Sequence, residues 1–315
     1  MTSSKMSVHA MQDLVISPGL AKNFRRNFVE QIIEVGLLLS AVVAVFITSA
    51  IVYILVVEAI PFFQHVSLYD FLTDTVWTPN YSIKHYGIMA LVSGTLTTTI
   101  IALIVAVPLG TITAIYLSEF ANHKTRETIK PILELLVGVP TVVFGYFALM
   151  LVTPLIQKIY PDLTTFNMLG PGIVMGIMIV PYIASVSEDA MRAVPMAMRE
   201  GAYAMGATRF QTAIRVIAPA ATSGIVASYI LAVSRAVGET MIVAIAAGQQ
   251  PNFTFNPVES AATITAYIVS VALGDLEHGT VGYQSIFAAG LTLLIMTLFL
   301  NILGHWTRKK FSERY

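Results

Sequence analysis

The 315-residue sequence has no cysteine. Disulfides, thiol nucleophiles and thiolate metal sites are therefore excluded. Charge is scarce as well: Asp, Glu, Lys and Arg make up 11% of the chain, against about 25% in an ordinary soluble domain. Eighteen acidic side chains balance eighteen basic ones, so net charge gives no ground for a nucleic-acid partner. Signatures of several catalytic classes are missing. There is no Gly-Lys pair, hence no Walker A loop for nucleotide phosphates, no His-Glu-x-x-His zinc helix and no Gly-x-Ser-x-Gly nucleophile elbow. The six histidines (His9, His65, His85, His123, His278, His305) are scattered over loops and segment ends, as solvated or interfacial imidazoles are. The chain is expected to be no enzyme, and to hold no metal and no cofactor.

What it does have is apolar residues, 56% of the total. They come in long blocks separated by charged loops, the pattern of membrane-spanning segments. The blocks are 35–57, 91–117 (with Pro108), 132–156, 169–186, 223–247 and 286–306. The third is interrupted by Gly138, Pro140 and Gly145, and the fourth contains Pro181; these four positions are expected to break helices. Each block is close to the roughly 20 residues that a helix needs to cross hydrocarbon. The alternating ten-residue strands of a closed barrel are absent. The first block is too long for the apolar core of a signal peptide and lacks a small-residue cleavage site, so it is read as an uncleaved helix. The fold class that follows is an all-α integral membrane protein of six transmembrane helices. A polar segment 1–30 precedes a membrane domain 31–306, and a basic tail 307–315 follows.

Lys and Arg set the orientation. Four lie before the first block, three between the second and third, four between the fourth and fifth, and four after the sixth. The opposite side has only Lys84 and Lys158, and Arg235 lies inside the fifth block. Positive charge marks the cytoplasmic side. Both termini are therefore expected in the cytoplasm, with an even number of crossings. The outer segment 61–90 carries Tyr69, Trp77, Tyr81 and Tyr86, which serve either as interfacial anchors or as a docking face for an extracytoplasmic partner. The inner segment 187–219 is rich in helix formers, with breaks at Pro195, Gly206 and Pro219. It reads as two short helices outside the membrane, forming an interaction surface.

Arg235 and Glu239 lie mid-block in Ser234-Arg235-Ala236-Val237-Gly238-Glu239-Thr240. A spacing of four puts both on one helix face. A charge at the bilayer centre costs at least about 2.5–3.5 kcal/mol, so such residues face the bundle interior and usually pair. Two readings stay open. Arg235 offers positive charge to an anion in transit while Glu239 holds the guanidinium and tempers its grip, or the two form a salt bridge that fixes packing. The hydroxyl-rich run Ser93 to Thr99 reads as close helix packing.

The segment from Glu200 resembles the EAA loop of type I ABC-importer permeases, the MetI-like family. That pattern is Glu-Ala-Ala, three residues, Gly, nine residues, then Ile-x-Leu-Pro. Here Glu200-Gly201-Ala202 is followed at the same spacing by Gly206 and by Val216-Ile217-Ala218-Pro219. The departures are Gly201, Val216 and Ala218. The segments 111–120, 134–145 and 235–240 are further similar to the phosphate-specific branch, PstC type, over about 77–301 of the chain.

The resemblance implies a six-helix permease of the bacterial plasma membrane. Its coupling loop, with Glu200, Gly201, Ala202, Gly206 and Pro219, would dock in a groove of the ATPase, and Arg235 and Glu239, flanked by Ser234 and Thr240, would lie on the anion path. It also implies a second, homologous PstA-type permease chain, a dimeric ATP-binding subunit that uses the ATP, and an extracytoplasmic phosphate-binding protein. Rival expectations are an importer of sulfate, molybdate or a phosphonate, a non-conducting subunit that signals phosphate supply, and a secondary transporter.

Overall fold

The structure, a computed structural model, describes residues 18–79, 83–274, 277 and 279–310. It divides into two units, Met1–Ile54 and Leu55–Tyr315. The described part of the first is helical, the greater part of α1 (Pro18–His65). Apolar side chains such as Leu37, Val42 and Phe46 are more than half exposed, as on a helix that faces lipid or a neighbouring subunit. The polar segment expected over 1–30 is not separate from the membrane helix. The helix already begins at Pro18 and carries Lys22, Arg25 and Arg26; residues 1–17 lie outside the described ones.

In the second unit α1 ends at His65 and is followed by α2 (Leu68–Thr73) and α3 (Met89–Ile115), the latter prolonged by a π-helical turn, Tyr116–Phe120. Then come α4 (His123–Val137), α5 (Thr141–Phe147), a π-helical turn (Ala148–Val152), α6 (Thr153–Gln157) and α7 (Leu169–Arg192). Next are α8 (Met196–Ala204), α9 (Arg209–Thr212), a third π-helical turn (Ala213–Ile217) and α10 (Ala218–Ala220). The last elements are α11 (Thr222–Val237), α12 (Met241–Ala246), α13 (Ile264–Ala272) and α14 (Val281–Lys310). Among the described residues the only β pairing is an isolated bridge, Trp77 to Tyr86.

Among the described residues four helices are long and apolar enough to cross a membrane, or up to six if each of two bent pairs is one span. The third block bends by 89° between α4 and α5, at Gly138 to Pro140, where Pro140 is extended (φ −57°, ψ 132°) and has no N–H to continue a helix. Two expected breaks are not breaks. Gly145 lies inside α5, where a Cβ would come within 2.9 Å of Ile245 Cδ1; it is there for close packing on α12. Pro181 is buried within an unbroken α7, since packed neighbours make a freed carbonyl tolerable at membrane depth. The fifth block, expected to be continuous, stops at Val237 and resumes at Met241.

The centre of the second unit is the crossing of α3 and α7. A Cβ on Gly176 would lie 2.7 Å from both Ala102 O and Val105 Cβ, so the two backbones meet where small residues allow it. Ala102, Met175, Ile179, Ile183, Ala236 and Ile242 fill the core around that crossing, drawing in α11 and α12. A second core lies over 62–90. Trp77 stacks edge-on against Tyr267 (5.0 Å, 85°) and Phe62 against Tyr86 (5.2 Å, 88°). Trp77 and Tyr86 are thus buried, and neither anchors at the bilayer nor presents a docking face. Tyr69 stays exposed, and Tyr81 lies outside the described residues.

Candidate functional site

Arg235 occupies the last turn of α11. Its guanidinium lies 4.4 Å from the ring centroid of Tyr182 on α7. The Nε is buried without a hydrogen-bond partner, and among the described residues the side chain makes no ion pair. A cation over a ring gains up to about 2 kcal/mol when desolvated. Withdrawing an ion from water costs several kcal/mol. Only the Nε is enclosed, the side chain as a whole being half-buried, so the aromatic face offsets part of the cost and the open side of the guanidinium could accept an incoming anion.

Glu239 does not supply that balance. The equal-face argument needs a helix that continues, and α11 ends at Gly238. Glu239 lies in the break, with its Oε1 accepting the N–H groups of Met241 (3.2 Å) and Ile242 (3.4 Å). A carboxylate there satisfies orphan donors at the start of α12. Its carbonyl accepts the Thr265 hydroxyl at 2.7 Å. Both the tempering role and the salt-bridge reading of the pair are thereby corrected. Ser234 Oγ lies 2.6 Å from Asn301 Oδ1 and ties α11 to α14. The Thr240 hydroxyl donates to Gly238 O across the break (3.2 Å). Of the four expected pathway residues, Arg235 alone has a buried polar atom without a hydrogen-bond partner; the other three hold the interruption in shape.

At the end of the unit that carries the basic loops, α8 presents Glu200 and Gly201 to the outside, and a Cβ on Gly201 would meet nothing. Gly206 stops the helix at φ +83°. Its N–H donates to Tyr203 O and that of Ala207 to Ala202 O, at 2.9 and 3.1 Å, a closed Schellman stop that favours glycine. Thr208 and Gln211 then form a reciprocal capping box at α9. Pro219 lies in the first turn of α10, where its missing N–H costs no bond. Met196, Met205 and Phe210 are exposed around this helix.

Arg199, on the inward side of α8, is a residue that sequence reasoning counted only as a topology marker. It is 8% exposed. Its Nη2 lies 3.0 Å from Glu119 Oε1 and its Nε 3.4 Å from Oε2. The same guanidinium donates to Val194 O (2.7 Å) and Met191 O (2.9 Å), at the negative end of α7. A lone carboxylate at the end of the second apolar block was the available signal that a distant cation must exist. Glu188 is a second such case. It is fully buried, with Arg126 (2.8 Å), Lys130 (2.9 Å) and Arg192 (3.7 Å) around it. The Arg126 Nε is near Glu188 Oε1 but not aligned for a hydrogen bond, so that contact is Coulombic.

Residues 106–314 match the family described as binding-protein-dependent transport system inner membrane component. A probable ABC transporter permease, YqgH of Bacillus subtilis, is 35% identical, with 78% of this chain and 79% of that protein covered. The phosphate transport system permease PstC of Haemophilus influenzae is 31% identical over 93% of this chain and 97% of its own length. Among solved structures, a bacterial alginate ABC transporter in complex with a pentasaccharide-bound periplasmic protein superposes with a TM-score of 0.61 at 16% identity, covering 93% of this chain and 98% of that one. The inward-facing methionine transporter MetNI gives 0.53 at 18% identity over 72% and 95%. The interrupted membrane helices, the capped helix α8 and these likenesses agree: the chain belongs to the binding-protein-dependent inner membrane components, the permeases of ABC importers, and within them to the PstC type.

Proposed function

We propose that the chain carries inorganic phosphate inward across the bacterial plasma membrane, as one permease of a complex whose ATP is hydrolysed by a separate dimeric subunit. A PstA-type permease is its partner across the path, and a phosphate-binding protein delivers the cargo outside. Both termini are cytoplasmic in this reading, and the chain itself binds no ATP. The observation that carries it is Arg235, with its buried Nε unpartnered and its guanidinium over Tyr182, in the apolar part of a chain that matches the PstC of Haemophilus influenzae over 93% of its length. Closure of the ATPase dimer would push α8 through Glu200 and its neighbours, and the helix bundle would rock as a body between inward- and outward-facing states.

The test is radiolabelled phosphate uptake by cells that lack their own high-affinity system and express the complete complex. Uptake should persist in excess sulfate or molybdate, fall to background in Arg235→Ala, and fall in Glu200→Ala, with all subunits still co-purifying. Inhibition by sulfate or molybdate would keep the importer and change its cargo. Undiminished uptake by Arg235→Ala would remove Arg235 from the path.

A further inference from the structure

Helices α11 and α14 pack closely at Gly304, where a Cβ would collide with the Ile230 side chain. Towards the C-terminus of α14 they part around a wedge of about 400 Å³, lined by Ser223, Gly224 and Ala227 on one side and by His305, Arg308 and Lys309 on the other. The three basic positions are spaced by three and four and so share one face. An Arg308 Nη2 lies 3.1 Å from His305 Nδ1. Among the described residues no acidic side chain lines the wedge, and neither Arg308 nor Lys309 forms an ion pair. Beside α8, by contrast, the cavity with Arg192, Arg199 and Arg209 contains Glu119.

The flank beside the wedge is apolar and open. Phe299, Ile302, Leu303 and Trp306 on α14 are each about half exposed or more, and the apolar stretch of the helix ends at Trp306, the level at which indoles meet the headgroup region. Cations without carboxylates next to an exposed apolar strip match one kind of molecule: a negative head joined to hydrocarbon chains. Basic pockets between membrane helices recognise such heads, at roughly 1 kcal/mol per near-surface Lys or Arg.

We propose that this wedge binds an anionic glycerophospholipid. Its phosphodiester lies against Arg308 and Lys309 within reach of the Ser223 hydroxyl, and its acyl chains run along Phe299, Ile302 and Leu303. Free phosphate shares the head's chemistry but has nothing to place on the apolar strip, so the lipid is favoured.

The test uses the complete permease–ATPase complex in mild detergent, with native mass spectrometry after delipidation and titration with phosphatidylglycerol or phosphatidylcholine. Phosphatidylglycerol should remain bound and rebind, while phosphatidylcholine should not. Two variants address different features: Arg308→Gln with Lys309→Gln removes the charge, and Ala227→Phe fills the wedge while keeping it. Each should weaken phosphatidylglycerol binding on the order of tenfold, with subunit stoichiometry unchanged. Equal binding of the two lipids, undiminished binding by both variants, or displacement of the lipid by millimolar inorganic phosphate would overturn the proposal. So would a wild-type complex that takes up no lipid because a partner subunit covers the wedge.

Discussion

Glu119 and Arg199 are 80 residues apart in the chain and meet through two contacts of 3.0 and 3.4 Å, with both side chains at most 10% exposed. The pair joins the end of α3 to the helix expected to meet the ATPase. Removing one partner of a buried pair costs about 3–5 kcal/mol, so Arg199→Ala should lower the thermal midpoint of the purified complex markedly. Arg199→Met together with Glu119→Gln should be less harmful than Arg199→Met alone, because no unpaired charge remains. Arg199→Lys keeps the charge and loses the fork, and should fall between alanine and wild type. A second readout is ATPase activity with and without the cargo-loaded binding protein: a link that transmits motion predicts that stimulation drops further than basal turnover.

Glu188 leads to a similar prediction with a different ranking. Glu188→Ala leaves Arg126 and Lys130 facing one another without the carboxylate between them, at a cost of several kcal/mol. Lys130→Met removes a hydrogen bond to Glu188 but leaves the carboxylate two cations, Arg126 and Arg192, so its cost should be smaller, about 1–3 kcal/mol. Thermal unfolding of the two variants should rank them in that order.

Three glycines separate close packing from backbone need. Gly176→Ala forces α3 and α7 apart at their crossing and should destabilise by about 1–3 kcal/mol. Gly201→Ala fills open space inside a helix and should be neutral or stabilising by about 0.5–1 kcal/mol, while restoring the alanine of the EAA pattern. Gly206→Ala meets no atom but must adopt φ +83°, at a cost of roughly 1 kcal/mol or more. Yields of folded, monodisperse complex would reveal the ranking.

These contrasts show what could be read from the sequence. The apolar blocks were legible because hydrocarbon imposes a length, and the short helix α8 was legible from its helix formers between Pro195 and Gly206. The interruption at Gly238 to Thr240 was not, since it contains no proline and a single glycine is compatible with a continuing helix. Assuming continuity then placed Arg235 and Glu239 on one face. Gly145 was misread for the opposite reason: a glycine required by a neighbouring side chain looks the same in sequence as one that ends a helix. The link between Glu119 and Arg199 needed tertiary information, because no local spacing connects them.

Acid should act on the loop between α2 and α3. Partial burial works to raise the Asp74 pKa, but hydrogen bonds from Val76, His85 and Thr75 outweigh it and hold the carboxyl below its ordinary 3.8. A lowered folded-state pKa means stability that is fully present above about 3.8 and lost as pH falls through the folded value. Exchange of the Gly87 amide, bonded to Val76 O at 2.8 Å, should therefore accelerate as pH is lowered below 4, after correction for intrinsic exchange. In Asp74→Asn that acid step should be absent.

Helix α7 carries two loads. Near one end its Met191 carbonyl is grasped by Arg199, and nine residues back, about 14 Å along the axis at 1.5 Å per residue, Tyr182 lies under Arg235. Because α7 runs unbroken through Pro181, it acts as a shaft between two bearings. A few degrees of rotation imposed at the lower bearing would slide the aromatic ring beneath the guanidinium at the upper one. In the proposed function, the grip on an anion and the position of α8 would then be set by one mechanical part.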